Sequence, residues 1–91
     1  MKFMLTFTVR PENRDKALSR FKTTGGRSPK GVELLGRWTE ADLSGGFDLL
    51  ECDDVKALAE FSSMWSDLMQ LKIVPVIEDN ALGEVLNRRT N

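Results

Sequence analysis

Apolar and polar residues alternate at the start of the chain, and one side of an extended backbone here carries Phe3, Leu5, Phe7 and Val9. A period of two residues is typical of a β-strand with one buried face, so the pattern predicts a strand over residues 2–9. Three further stretches rich in apolar residues predict strands over residues 32–39, 47–52 and 71–77. Pro75 has no backbone N–H, which places the last strand at an edge of the sheet.

Two stretches with helical spacing of apolar residues lie between these strands. The first is predicted to begin at Pro11, which suits a first helical position, and to end at Gly25 and Gly26. The second is predicted to be capped by Asp53 or Asp54. Its apolar stripe comprises Leu58, Phe61, Trp65 and Leu68.

The order strand, helix, strand, strand, helix, strand predicts an α+β, ferredoxin-like βαββαβ fold. A short C-terminal helix, capped by Asp79 or Asn80, completes a single domain over residues 1–91. Right-handed crossovers place the first and third strands at the centre of the sheet and the fourth beside the first. Both long helices are then expected on one face.

Apolar residues occur on both faces of the predicted sheet, although the helices cover only one. In the second strand, simple alternation puts Val32, Leu34 and Trp38 on one side and Leu35 on the other. The fourth strand also has apolar residues on both sides. An uncovered apolar face favours a partner, and a second copy stacked sheet to sheet would supply it. The sequence therefore predicts a homodimer.

Composition excludes several classes of function. The 91 residues carry a net charge of −1, no histidine and one cysteine, Cys52, which is interpreted as a small buried hydrophobe. A near-zero charge argues against nucleic-acid binding, and Arg88 and Arg89 are interpreted as a solvated basic tail. Without histidine, no transition-metal site and no cofactor are expected. Because neither a membrane span nor a signal peptide is evident, a cytoplasmic location is expected.

Several short stretches together match a known pattern. They are residues 1–4 with Thr6, 10–14, 24–26, 31–32, 35–38, Glu51 with Asp53 and Asp54, 65–68 and 74–76. On these the chain resembles a family of small bacterial proteins known only as a domain of unknown function, within the dimeric α/β barrel superfamily. The resemblance covers nearly the whole chain and implies the fold and a homodimer, but no activity. Phe7 stands where tryptophan is common, and Asp48, where an apolar residue is usual, either alters a pocket or marks a solvent-facing edge.

Arg37, Trp38 and Glu51 form the first candidate site. An arginine beside a tryptophan can bind an anion and stack on a planar ring, whereas the structural interpretation makes Trp38 core and Arg37 a surface or interface charge. If the hairpin places Arg37 and Glu51 on one face, they would pair between the sheets and hold a polar group of a ligand. Burial there would raise the pKa of Glu51 and allow it to act as a base.

Trp65 and Asp67 form the second candidate site, at the end of the second long helix. Trp65 continues the apolar stripe, so the structural interpretation is core. Asp67 is unfavourable near a helix C-terminus, which indicates a cationic partner such as Arg37 or a backbone donor.

Three functions remain open at this point. The first is a homodimer that binds a small, partly apolar ligand between its sheets. The second is a cofactor-free enzyme similar to the monooxygenases of the barrel superfamily, and the third is a structural or regulatory interaction module. An empty, partly aromatic cavity would favour a ligand or catalysis, and a filled interior would favour the third.

Overall fold

A four-stranded antiparallel sheet forms the framework of the computed structural model, which describes residues 1–89; residues 90 and 91 of the predicted domain lie outside the described part. The strands are β1 (Lys2–Val9), β2 (Val32–Thr39), β3 (Gly45–Cys52) and β4 (Met69–Val76). The helices are α1 (Arg14–Thr24), preceded by a 3-10 turn at Pro11–Asn13, α2 (Val55–Ser63) and α3 (Asp79–Arg88). This order confirms the α+β, ferredoxin-like layout.

The strand order is β2-β3-β1-β4, so β1 and β3 are central and β4 lies beside β1, as predicted. Pro75 pairs with Phe3 on β4, which is an edge strand as predicted, and a residue without a backbone N–H is tolerated there. β1 keeps the predicted alternation, since Phe3, Leu5 and Val9 are all buried. The helices cover this face, which is called the inner face below; the opposite face is the outer face.

The core lies between α2 and the inner face. It is formed by the buried side chains of Phe3, Leu5, Val32, Leu50, Cys52, Leu58, Phe61 and Trp65. Asp54 caps α2 by accepting a hydrogen bond from the backbone N–H of Lys56 at 2.9 Å. The helix ends at Ser63, before the predicted stripe is complete. Tight turns continue the chain, and both Trp65 and Leu68 remain buried, so the core interpretation of Trp65 is confirmed.

A β-bulge in β2 changes which side chains reach each face. Leu34 pairs with Leu50 and Gly36 with Leu49, so Leu35 is an extra residue that has no partner of its own. The alternation therefore shifts by one residue after Leu34.

The bulge overturns the predicted placement of Trp38. Simple alternation puts Trp38 on the same face as Val32 and Leu34, in the core. Past the bulge, Trp38 pairs with Phe47 on the outer face and is 58% exposed. Arg37 takes the inner position instead, opposite Asp48.

The C-terminal helix α3 stands apart from the core. None of its described residues is buried, and its apolar residues Leu82, Val85 and Leu86 are half-exposed. Glu78, rather than the predicted Asp79 or Asn80, occupies its N-cap position, and it contacts Lys2 at 3.1 Å. The radius of gyration is 15.4 Å, whereas a compact chain of this length has about 12 Å.

No helix within residues 1–89 is both long and apolar enough to cross a membrane.

Candidate functional site

A cavity of about 260 Å³ lies between α1 and the inner face of the sheet. Its floor is formed by strand residues that point towards the helices, chiefly Leu5, Phe7, Val9, Met69 and Leu71. Its roof comprises Ala17, Leu18 and Phe21 of α1, and Phe61 and Trp65 close the side towards α2. The walls are therefore mainly aliphatic and aromatic, as in many sites for small molecules.

The sequence of α1 explains why this space is not filled by protein. Only Ala17 of this helix is buried, while Leu18 and Phe21 stay nearly half-exposed at the roof. The other residues of α1 are polar, so the helix has few large side chains to place against the sheet. Two residues of β3 that line the cavity, Gly45 and Asp48, contribute no large apolar side chain to it. A cavity therefore remains beneath α1.

Arg37 and Asp48 form a buried ion pair at one end of the cavity. Nε and Nη2 of Arg37 donate to the two carboxylate oxygens of Asp48 at 2.8 and 3.1 Å, and Nη2 also donates to the backbone oxygen of Gly26 at 2.9 Å. Asp48 is only 2% exposed. The guanidinium also lies 5.6 Å from the ring centre of Phe21.

Gly26 lets α1 end against this ion pair. Its φ of +64° is in the left-handed region, and a side chain added there would overlap the guanidinium of Arg37 and the ring of Phe21. The predicted helix stop at Gly25 and Gly26 is confirmed, because Gly25 is the C-cap and donates to the backbone oxygen of Phe21 at 2.7 Å.

Arg14 supplies a second positive charge, at the other end of the cavity. It is the first residue of α1, and it lines the cavity together with Leu43 of the loop between β2 and β3. Its Nε is buried and has no hydrogen-bond partner within residues 1–89.

Asp67 has a cationic partner, as expected, but the partner is Arg20 rather than Arg37. Arg20 donates to both carboxylate oxygens of Asp67 at 2.8 and 2.7 Å and to the backbone oxygen of Met64 at 2.9 Å. Its guanidinium lies 5.4 Å from the ring centre of Trp65. The side-chain hydrogen bond from Arg20 lowers the pKa of Asp67, and this contact ties α1 to the turn after α2.

The predicted pairing of Arg37 with Glu51 is wrong. Glu51 pairs with Lys2 in the strand register and lies on the outer face, while Arg37 lies on the inner face. The amino group of Met1 and then the Nζ of Lys2 contact Glu51 at 2.6 and 3.3 Å. These hydrogen bonds lower the pKa of Glu51, contrary to the rise that burial would have caused.

The structure thus brings together two of the five predicted site residues, Arg37 and Trp65, at the cavity. Trp38 and Glu51 lie on the outer face, and Asp67 lies outside the cavity on the helix side. Within residues 1–89, no group of three acidic or cysteine side chains is arranged to hold a metal ion.

Comparison with known sequences and structures bears on this fold. The profile of a family described as a domain of unknown function (DUF3303) matches residues 1–90. The chain belongs to this family. No protein of curated function shows a significant sequence match to it.

A solved structure shares the architecture of this DUF3303 domain. The structure of Rv0793 from Mycobacterium tuberculosis superposes with a TM-score of 0.50, covering 85% of this chain and 94% of that chain at 13% identity. At this level of identity the similarity shows the fold alone.

Sequence reasoning missed Arg14 and Phe21 as cavity residues of the DUF3303 domain. An arginine at the start of a helix resembles any solvated charge, and no local pattern distinguishes it. The sequence did indicate Asp48 as a candidate, because a carboxylate in an otherwise apolar strand must find a partner. Of its two interpretations, the structure supports the altered pocket.

We expect that Asp48→Ala destabilises the fold by about 3 kcal/mol, because it leaves the charge of Arg37 without its buried partner. Urea denaturation would measure the change. The double variant Arg37→Leu/Asp48→Leu should recover most of the loss, since it removes both charges. Glu51→Ala is the control on the same strand and should leave the urea midpoint nearly unchanged. A loss below about 0.5 kcal/mol for Asp48→Ala would contradict the buried pair.

We also expect the pKa of Asp67, measured by NMR titration, to lie below the ordinary aspartate value of about 3.9. Arg20→Gln should return it towards that value, while Lys22→Gln on the same helix should not. Because the folded-state pKa is depressed, the stabilisation is present above about pH 4 and is lost as the pH falls through the depressed value. An unchanged Asp67 titration in Arg20→Gln would exclude Arg20 as the cause.

Proposed function

We propose that this DUF3303 domain binds a small, largely apolar molecule in the cavity beneath α1. The observation that carries the proposal is a space of about 260 Å³ bounded by aliphatic and aromatic side chains with an arginine at each end. The volume of about 260 Å³ lies just below the range of about 300–1,000 Å³ that is usual for ligand pockets, so only a compact ligand fits. Sequence analysis expected the ligand between two sheets; the proposed site lies instead between helix and sheet of one copy.

The arrangement of charges supports a binding site over a packing defect. A void left by imperfect packing has no reason to carry charged side chains, whereas ligand sites combine apolar walls with a few fixed polar groups. The bidentate bond to Asp48 fixes the position of Arg37. The stacking of Arg37 against Phe21 joins this polar end to the apolar roof.

The cofactor-free enzyme is the weaker alternative, because the cavity offers no available base. Asp48 is the only carboxylate among its described lining residues, and both of its oxygens accept hydrogen bonds from Arg37. A base must be free to accept a proton from its substrate. Binding without catalysis therefore fits these groups better.

We further propose that two copies of the domain pair through their outer sheet faces, as in a dimeric α/β barrel. This face presents Trp38, Phe47, Leu35 and Val74, all partly or largely exposed in a single copy. Four strands of eight residues cover roughly 19 by 26 Å, or about 500 Å² per copy.

The sheet faces alone provide little interface area, which gives α3 a role in such a dimer. Two stacked faces would hide about 1,000 Å² in total, which is the lower limit for a specific interface. The half-exposed Leu82, Val85 and Leu86 of α3 would add apolar surface if the helix packed on the second copy. The helix extends away from its own core, so it is available for that contact.

For the cavity, we expect octanamide, a neutral probe with an apolar tail, to alter the fluorescence of Trp65. The background variant Trp38→Phe leaves Trp65 as the only tryptophan. Ala17→Leu should abolish the response by filling the roof, since Ala17 is buried and lines the cavity. Ala59→Leu on the exposed side of α2 is the matched control and should bind as the parent does. Binding that survives in Ala17→Leu would place the probe elsewhere.

For the dimer, we expect sedimentation velocity to show two copies at micromolar concentration. Trp38→Glu should give a folded monomer, because two carboxylates would be buried at the paired faces. Val55→Glu adds the same charge at an exposed position on the helix side and should leave the dimer intact. A stable wild-type monomer at that concentration would rule out the pairing.

A further inference from the structure

Arg14 is the charged group in the cavity whose hydrogen-bonding capacity is least used. Its Nε is buried, yet no acceptor within residues 1–89 reaches it. A buried donor without an acceptor is unfavourable, and the guanidinium cannot escape the problem by losing its proton. The remaining donors of this guanidinium, on its two Nη groups, belong to a residue that lines the cavity, so an oxygen atom supplied by a ligand would bind to them.

The neighbouring carboxylate does not fill this role. The pKa of Asp42 is lowered mainly by the side-chain hydrogen bond from Ser44, and the positive charge of Arg14 contributes only a little. Oδ1 of Asp42 accepts two hydrogen bonds from Ser44, one from its Oγ–H at 2.7 Å and one from its backbone N–H at 3.1 Å. This carboxylate therefore holds its own loop together, and it does not hydrogen-bond to Nε of Arg14.

The two arginines of the cavity differ in whether a carboxylate is hydrogen-bonded to them. The charge of Arg37 is already matched by Asp48. Within residues 1–89, Arg14 has no such bidentate partner, so among the described residues that line the cavity its positive charge is the one that lacks a hydrogen-bonded anion. The cavity wall between them is apolar.

We infer that the ligand is an apolar molecule with a single carboxylate, bound through the two Nη groups of Arg14. This inference rests on the proposed function and specifies its ligand class. A planar carboxylate matches the two parallel donors of a guanidinium. The apolar body extends beneath Leu18 and Phe21 towards the Arg37–Asp48 pair. A second anionic group is disfavoured, because it would meet the carboxylate of Asp48 at that end.

The strand geometry limits the length of this ligand. Gly45 and Asp48 both line the cavity and are three residues apart on β3, which corresponds to about 10 Å. An eight-carbon chain in a partly folded conformation fits this span.

Octanoate and octanamide test the inference, because they have the same chain length and differ in the charge of the head group. Both would be titrated into the full chain carrying Trp38→Phe, with Trp65 fluorescence as the signal and calorimetry as a second measurement. Octanoate is expected to bind about tenfold more tightly than octanamide, the effect of one charge-assisted hydrogen-bonded contact. Arg14→Gln should remove this preference, because octanoate loses much more affinity than octanamide when the positive charge is lost.

Arg10→Gln is the matched control. It removes the same charge from an exposed arginine just before α1, outside the cavity lining. Octanoate should keep its preference in this variant. An equal loss in both variants would indicate a diffuse field around the helix start and would overturn the assignment of Arg14.

The remaining outcomes separate this inference from the proposed function. Equal binding of both probes, unaffected by Arg14→Gln but abolished by Ala17→Leu, would overturn the carboxylate inference and keep the cavity as an apolar site. Failure of both probes to bind the parent would count against the proposed function itself, and the inference would fall with it.

Discussion

The β-bulge at Leu35 is the constraint on which the two faces of this sheet depend. By inserting one residue opposite the step from Leu50 to Leu49, it moves Arg37 to the inner face and Trp38 to the outer face. Without it, Arg37 would lie on the outer face, and Asp48 would be buried with no cation on the opposite strand. One local irregularity thus gives the cavity its ion pair and the outer face its tryptophan.

The ion pair and the cavity are both consequences of the way α1 is attached to the sheet. A buried arginine–carboxylate pair stabilises a fold little more than apolar side chains of the same size would, and often less. α1 contributes few apolar contacts, so its attachment relies on polar bonds, from Arg37 to Gly26 and from Arg20 to Asp67 and Met64. These bonds hold the helix above the sheet without filling the space below it, which a core of larger apolar side chains would do.

Local patterns predicted the framework but not the site. The alternation in β1, the glycines after α1 and the proline in β4 each act through local backbone geometry, and the structure confirms all three. The bulge was missed because an extra residue reverses alternation without a change in composition, although Gly36 beside it is a known companion of bulges. The partner of Asp67 was missed because Arg20 is 47 residues away, a contact set only by the packing of α1.

The two proposed binding surfaces lie back to back on the same strands. On β2 and β3, Arg37 and Asp48 point to the cavity, while their immediate neighbours Trp38 and Phe47 point outwards. A side chain on one face is therefore separated from the other face by a single peptide unit. A ligand affects pairing only if it binds the paired and unpaired states with different affinity. The buried Arg37–Asp48 bond resists movement of these strands, so the geometry favours independent binding at the two faces.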